Sequence, residues 1–143
     1  MSPDLPLARA DERVGDVVAR LIANNMPGAA VIDADERYTG MFAIHDLLTL
    51  IVPRVALAGN VTANLRFIDS AGGELRQRFA DLTSKSIGEL ADRGAATLRA
   101  GAPATEAVRL LCQSQGPFAV VDESTGKVSG IITSRDLVRV LAS

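Results

Sequence analysis

A nine-residue stretch near the C-terminus, Gly130-Ile131-Ile132-Thr133-Ser134-Arg135-Asp136-Leu137-Val138, has a partner at Gly40-Met41-Phe42-Ala43-Ile44-His45-Asp46-Leu47-Leu48. Both begin at a Gly, place an Asp six residues later and follow it with Leu, and 136 − 46 gives a displacement of 90. The likeness extends upstream at a shift of 89, which puts Arg20-Leu21 on Arg109-Leu110, Ala30-Val31 on Ala119-Val120 and Asp33 on Asp122. A one-residue insertion between Glu123 and Ser129 restores the later shift. Similarity at a fixed period that spans whole elements marks a duplicated structural unit. The chain must fold as two copies of one motif.

Each copy carries the same grammar. An apolar triplet (Gly130-Ile131-Ile132) reads as the end of a strand, and Leu137, Val138, Val140 and Leu141 then take up helical spacing, so Thr133 and Asp136 stand at a strand-to-helix corner. One helical turn separates them, which lets both side chains meet beside the helix N-terminus. Oxygens placed there either cap the helix or meet a polar ligand.

In order along the chain, a leading segment from Leu5 to Arg13 is extended, and Asp16 caps a helix with Val17, Val18, Leu21 and Ile22 inward. Ala29 to Ile32 and Tyr38 to Ile44 are strands, and Asp46 opens a helix that Pro53 kinks or ends. The unit is β-α-β-β-α. The second copy repeats it: Ala96 to Leu98 extended, a helix from Ala102 with Val108, Leu111 and Cys112 inward, Phe118 to Asp122, then Val128 to Thr133. Between the copies, Val61 to Ile68 is read as extended, Gly72-Gly73 as a break, Glu74 to Leu82 as a helix whose apolar side packs on the repeats, and Ile87 to Leu90 as a short helix.

Composition narrows the function. A chain of 143 residues and net charge −2, with both signs interspersed, offers no basic field for nucleic acid or an anionic membrane. The longest apolar run, Leu47 to Val52, is far short of a membrane span, and the N-terminus lacks the basic flank and apolar core of a signal peptide. A cytoplasmic protein is expected. Cys112 is the single cysteine and is expected to be a small buried thiol. With one His and one Cys in different repeats, no nucleophile-base set, metal cluster or phosphate-cradling Gly-rich loop is present. The chain is read as non-catalytic.

The two copies, with Phe118-Ala119-Val120-Val121-Asp122 and the Gly130 to Leu137 corner, resemble a tandem pair of cystathionine-β-synthase (CBS) domains, a Bateman module. The expected division is a first repeat over 3–56, a linker over 57–86 and a second repeat over 87–143. The resemblance implies an α/β (α+β) fold in which two β-α-β-β-α repeats pack about a pseudo-two-fold axis and leave two clefts. It also implies a regulatory ligand containing adenosine, such as AMP, ADP, ATP or S-adenosylmethionine, with no obligatory cofactor and no metal. A carboxylate can accept hydrogen bonds from both ribose hydroxyls.

Carried onto this sequence, the resemblance puts Asp136 and Thr133 on the ribose and Arg135 toward a phosphate, with Thr97, Leu98, Pro117, Phe118 and Ile132 around the base. The first repeat departs from the pattern. Ala43 stands where Thr133 stands and His45 where Arg135 stands, although Asp46 is kept. The Asp136 cleft is therefore expected to be the competent one and the Asp46 cleft the weaker. Against these readings, Asp136 and Asp46 serve equally well as plain N-caps, Arg135 as a solvated residue and Leu98 and Phe118 as ordinary core. A homodimer through Leu47 to Val52 and Leu137 to Leu141, signalling to an unidentified protein target, completes the expectation; a dimeric scaffold with empty clefts is the alternative.

Overall fold

A computed structural model describes residues 6–51, 72–114 and 116–143. The first repeat comprises β1 (Leu7–Arg9), α1 (Val14–Ala23), β2 (Gly28–Ile32), β3 (Tyr38–Ala43) and α2 (Ile44–Ile51). Helices α3 (Gly72–Thr83) and α4 (Ile87–Leu90) follow, and then β4 (Thr97–Arg99), α5 (Ala104–Gln113), β5 (Phe118–Val121), β6 (Val128–Ile132) and α6 (Ser134–Ala142). The β-α-β-β-α unit is present twice, as the periodicity predicts. Val61 to Ile68 and Pro53 lie outside the described residues.

Each repeat forms a three-stranded sheet, β1-β2-β3 and β4-β5-β6, with a parallel first pair and an antiparallel second pair. The duplication reaches into the irregularities. Ile32 pairs with Tyr38 and Val31 with Gly40, leaving Thr39 as the extra residue of a bulge; Val121 pairs with Val128 and Val120 with Gly130, leaving Ser129 as its counterpart. Both extra residues carry a hydroxyl that closes on the partner strand: Thr39 Oγ1 donates to the Val31 carbonyl (3.0 Å) and Ser129 Oγ to that of Val120 (3.3 Å).

The sheets face one another through β2 against β6 and β3 against β5. That reciprocal pairing is what a two-fold relation between the copies produces. Ala30, Ile32 and Met41 meet Ala119 and Val128 there. The alternation of side chains along β3 then sends Phe42 the other way, into a second core with Val17, Leu21, Val31 and Leu47 beneath α1 and α2. A smaller third core, around Leu98, Ala107 and Leu137, lies beneath α5 and α6. Tyr38 sits at the sheet-to-sheet junction with its hydroxyl buried and without a hydrogen-bond partner among the described residues, and burial, then the charge of Asp92, raises its pKa.

The larger core of the first repeat is completed by the chain that opens the second. The Val14 N–H donates to Lys85 O (2.9 Å), the Ile87 N–H to Glu12 O (2.7 Å) and the Gly88 N–H to Ala10 O (2.9 Å). These bonds seat Ile87, which is fully buried, under α1. Helix α4 is held by the Glu89 carboxylate, which accepts from both the Ser86 N–H and O–H at 3.1 Å. Helix α3 packs on α1 and α2. Leu82 is half buried against that core while Phe79 stays exposed, and Gly72 and Gly73, expected as a break, begin the helix.

Helix rotations differ from expectation at several positions. Cys112 is exposed, not buried, and so is Val108; α5 instead buries Ala107 and half-buries Leu110 and Leu111. With 100° between successive residues, only one i, i+3, i+4 set can face the sheet, and this set starts at Ala107. For the same reason Ile22 of α1 turns outward at 66% exposure. Helix α1 also starts at Val14 with Arg13 as its N-cap, so Asp16 lies within the first turn and caps nothing by its side chain.

Outside these cores, one ion pair ties β1 to α1. Arg20 Nη1 reaches Glu12 Oε1 at 2.9 Å and Arg20 Nη2 the Leu7 carbonyl at 2.8 Å, while the Arg9 N–H donates to Glu12 Oε2 at 2.7 Å. The Arg20 hydrogen bond, with help from the Arg9 N–H, holds the Glu12 carboxyl below its usual 4.5. A depressed carboxyl pKa stabilises the fold above the unfolded value, and that contribution disappears as pH falls through the folded value. Glu12→Gln should therefore lose up to about 1 kcal/mol at pH 7, since the pair is partly exposed, and progressively less as pH falls below the unfolded value and through the lowered folded one. Urea titrations of both proteins at pH 7 and pH 3.5 check this; an unchanged difference at the two pH values would contradict it.

Candidate functional site

Between the repeats lies a cleft of about 490 Å³, within the roughly 300–1,000 Å³ range of small-ligand pockets. Three pieces of chain build it. The corner between β3 and α2 contributes Met41, Ala43, His45 and Asp46. The segment crossing from α4 into the second repeat adds Asp92, Gly94, Ala95 and Ala96. The turn between α5 and β5 closes it with Ser114, Gly116, Pro117 and Phe118.

The crossing segment is fixed by backbone bonds. Met41 and Asp92 exchange them in both directions, N–H to carbonyl at 3.1 Å and 2.9 Å. This approach explains Gly40: a Cβ there would stand 2.9 Å from the Asp92 carbonyl oxygen, and only glycine leaves room. A Cβ on its counterpart Gly130 would meet no described residue within 4 Å. Asp92 then turns the chain toward the cleft by accepting the Gly94 N–H on Oδ1 at 2.9 Å. Gly116 takes φ +77°, a left-handed conformation that places Pro117 and Phe118 at the wall.

The two corner acids have different environments. Asp136 closes a capping box on its own helix: the N–H and O–H of Thr133 both donate to Asp136 Oδ2, at 3.1 and 2.9 Å, and the Asp136 N–H donates to Thr133 Oγ1 at 3.2 Å. Asp46 has no such partner, because Ala43 stands where the hydroxyl would be. Its carboxylate is exposed and makes no hydrogen bond to a described residue. Residues carrying a carboxylate unbonded to any described residue, an imidazole and an apolar wall thus converge on the first-repeat corner.

The structure also regroups the sequence candidates. Pro117 and Phe118, placed by sequence around Asp136, line the cleft of Asp46 with His45 and Ala43. Leu98 packs inward with Ala107 and Leu137, and Ile132 lies half buried against that core. Thr97 and Arg135 are exposed and do not line this cleft. Sequence reasoning missed Met41, Asp92, Gly94, Ala95 and Ala96. The signal was the duplication itself: if two repeats are related by a two-fold axis, each cleft takes its acid from one copy and its far wall from the other. The registers Leu7–Ala30 and Thr97–Ala119 make Leu7 and Thr97 equivalent, so the wall opposite Asp136 falls on residues 2–6, of which only Pro6 is described.

The chain matches the family model of the CBS domain over residues 1–53 and 87–143. Among solved structures it is similar to CBSX2, a CBS-pair protein from Arabidopsis thaliana, at 24% identity and TM-score 0.71 over 97% of this chain and 86% of that one. CBSX2 has also been solved in complex with AMP, and that structure superposes with TM-score 0.69 over 97% of this chain and 88% of that one, at the same 24% identity. A CBS-domain containing protein from Agrobacterium tumefaciens aligns at 16% identity and TM-score 0.66, over 96% of this chain and 88% of its own. No curated protein matches.

Proposed function

The chain belongs to the CBS-domain family, as two tandem copies, and from that premise we propose that it is a non-catalytic regulatory module whose Asp46 cleft takes up an adenosine-containing ligand. One observation carries the reading: a ligand-sized cleft spans both repeats, and the carboxylate of Asp46 at its edge has no hydrogen-bond partner among the described residues. Asp46 accepts the two ribose hydroxyls, and Pro117, Phe118 and Met41 enclose the base. The AMP complex of CBSX2 supports the ligand class. A ligand held by both repeats favours one relative orientation of them, which a separate protein target senses.

A panel of AMP, ADP, ATP, adenosine and S-adenosylmethionine tests the reading in a thermal-shift assay. At 100 times its dissociation constant, a bound member contributes about 2.7 kcal/mol, which raises the melting temperature by roughly 5–10 °C for a domain near this size. No shift with any member would leave the scaffold reading in its place. That second reading draws on the Asp136 capping box, which accounts for the second corner without a ligand.

The exposed apolar faces of α2 and α6 fit a second copy of this chain. Leu48 and Val138, and Leu50 and Val140, occupy equivalent positions in the two repeats, and all four are at least half exposed. Leu47 and Leu137 point inward in both copies. A patch repeated by internal symmetry suits an isologous dimer. The double variant Leu48→Glu, Val138→Glu is expected to elute as a folded monomer where the parent elutes as a dimer, measured by light scattering; a monomeric parent would overturn the dimer. Among the described residues no helix is long and apolar enough to cross a membrane.

A further inference from the structure

Resting on the nucleoside reading of the Asp46 cleft, we infer that this cleft selects an adenosyl ligand whose 5′ substituent is neutral or cationic, as in S-adenosylmethionine, over a 5′-phosphate. The charges on its walls carry the inference. Its described lining holds two carboxylates, Asp46 and Asp92, and neither Arg nor Lys; the only basic side chain is His45. Asp92 is fixed there by its backbone pairing with Met41 and by the bond its Oδ1 accepts from the Gly94 N–H. Gly40 leaves room for that pairing.

The opposing contribution is the N-terminus of α2, which begins at Ile44 beside the cleft and offers the equivalent of about half a positive charge to an anion. Asp46, in the first turn of that helix, already offsets it. Among the described lining residues the balance is therefore negative. A nucleoside monophosphate brings about −1.5 to −2 charges at neutral pH, and a triphosphate more. S-adenosylmethionine brings a sulfonium and an ammonium against a single carboxylate. Like charges near a surface repel enough to change affinity by an order of magnitude.

Isothermal titration of the full chain at low ionic strength reads the preference directly. S-adenosylmethionine should bind at least about tenfold more tightly than AMP, with ATP weaker than AMP, and adenosine and S-adenosylhomocysteine between the extremes. The spread should shrink as salt rises. In Asp92→Asn the side-chain oxygen still accepts the Gly94 N–H while the charge is gone, so the preference over AMP should fall several-fold. AMP binding as tightly as S-adenosylmethionine would overturn the selectivity and leave the nucleoside reading standing. An unmoved ratio in Asp92→Asn would remove the carboxylate pair as its cause and overturn the inference. Failure of all five compounds to bind would overturn both readings together.

Discussion

Asp46→Ala is expected to weaken nucleoside binding by about 100-fold or more, because it removes two charge-assisted hydrogen bonds, each worth about 1.5–3 kcal/mol. The fold should tolerate it. Asp46 is exposed and caps no backbone group through its side chain, so the change in stability is limited to about 0.5–1 kcal/mol of lost interaction with the α2 dipole. Asp136→Ala should behave in the opposite way. It deletes the acceptor of the Thr133 capping box, costs about 0.5–2 kcal/mol of stability, and leaves affinity within a factor of about three. Equal losses of binding in the two variants would refute the assignment of the cleft.

Phe42→Ala should lower stability by about 3–5 kcal/mol, a large share of the roughly 5–15 kcal/mol that holds a typical domain. The ring is 1% exposed and lies among Val17, Val31 and Leu47, with Ile87 from beyond the first repeat closing the same core. The position equivalent to it in the second copy is Ile132, which is only half buried. Ile132→Ala should therefore cost distinctly less, about 2 kcal/mol. Urea denaturation monitored by circular dichroism compares the two; a loss at Ile132 as large as that at Phe42 would mean that the two cores are equally developed, contrary to the burial pattern.

The repeat was legible because the same physical demands recur in both copies. Two faces of each sheet need apolar residues in alternation, the corners need a polar residue at the helix start, and Gly40 and Gly130 mark where β3 and β6 pass their bulges. What a linear pattern does not display is which copy supplies which wall. Pro117 and Phe118 belong to the same copy as Asp136, yet they line the cleft that holds Asp46. The crossing segment that makes this so, Asp92 to Ala96, has no apolar period and carries no motif; it is set by one backbone pairing with Met41.

The two acids differ in their partners for a related reason. A Thr and an Asp three residues apart satisfy a ligand or each other, and here they satisfy each other. Ala43, read as a missing contact, is what leaves the Asp46 carboxylate without a capping partner among the described residues. Cys112, Val108 and Ile22 were misplaced on a smaller scale, by a rotation of one residue about a helix axis, since an aliphatic helix with apolar residues on adjoining positions does not declare which of them reaches the sheet.

A crystal structure of the chain grown with S-adenosylmethionine tests the placement of the ligand most directly. It should hold the nucleoside between Met41 and Pro117, with both ribose hydroxyls within hydrogen-bond distance of Asp46 and the Thr133–Asp136 capping box intact. A nucleoside seated on Asp136, with that box opened to receive it, would contradict the account.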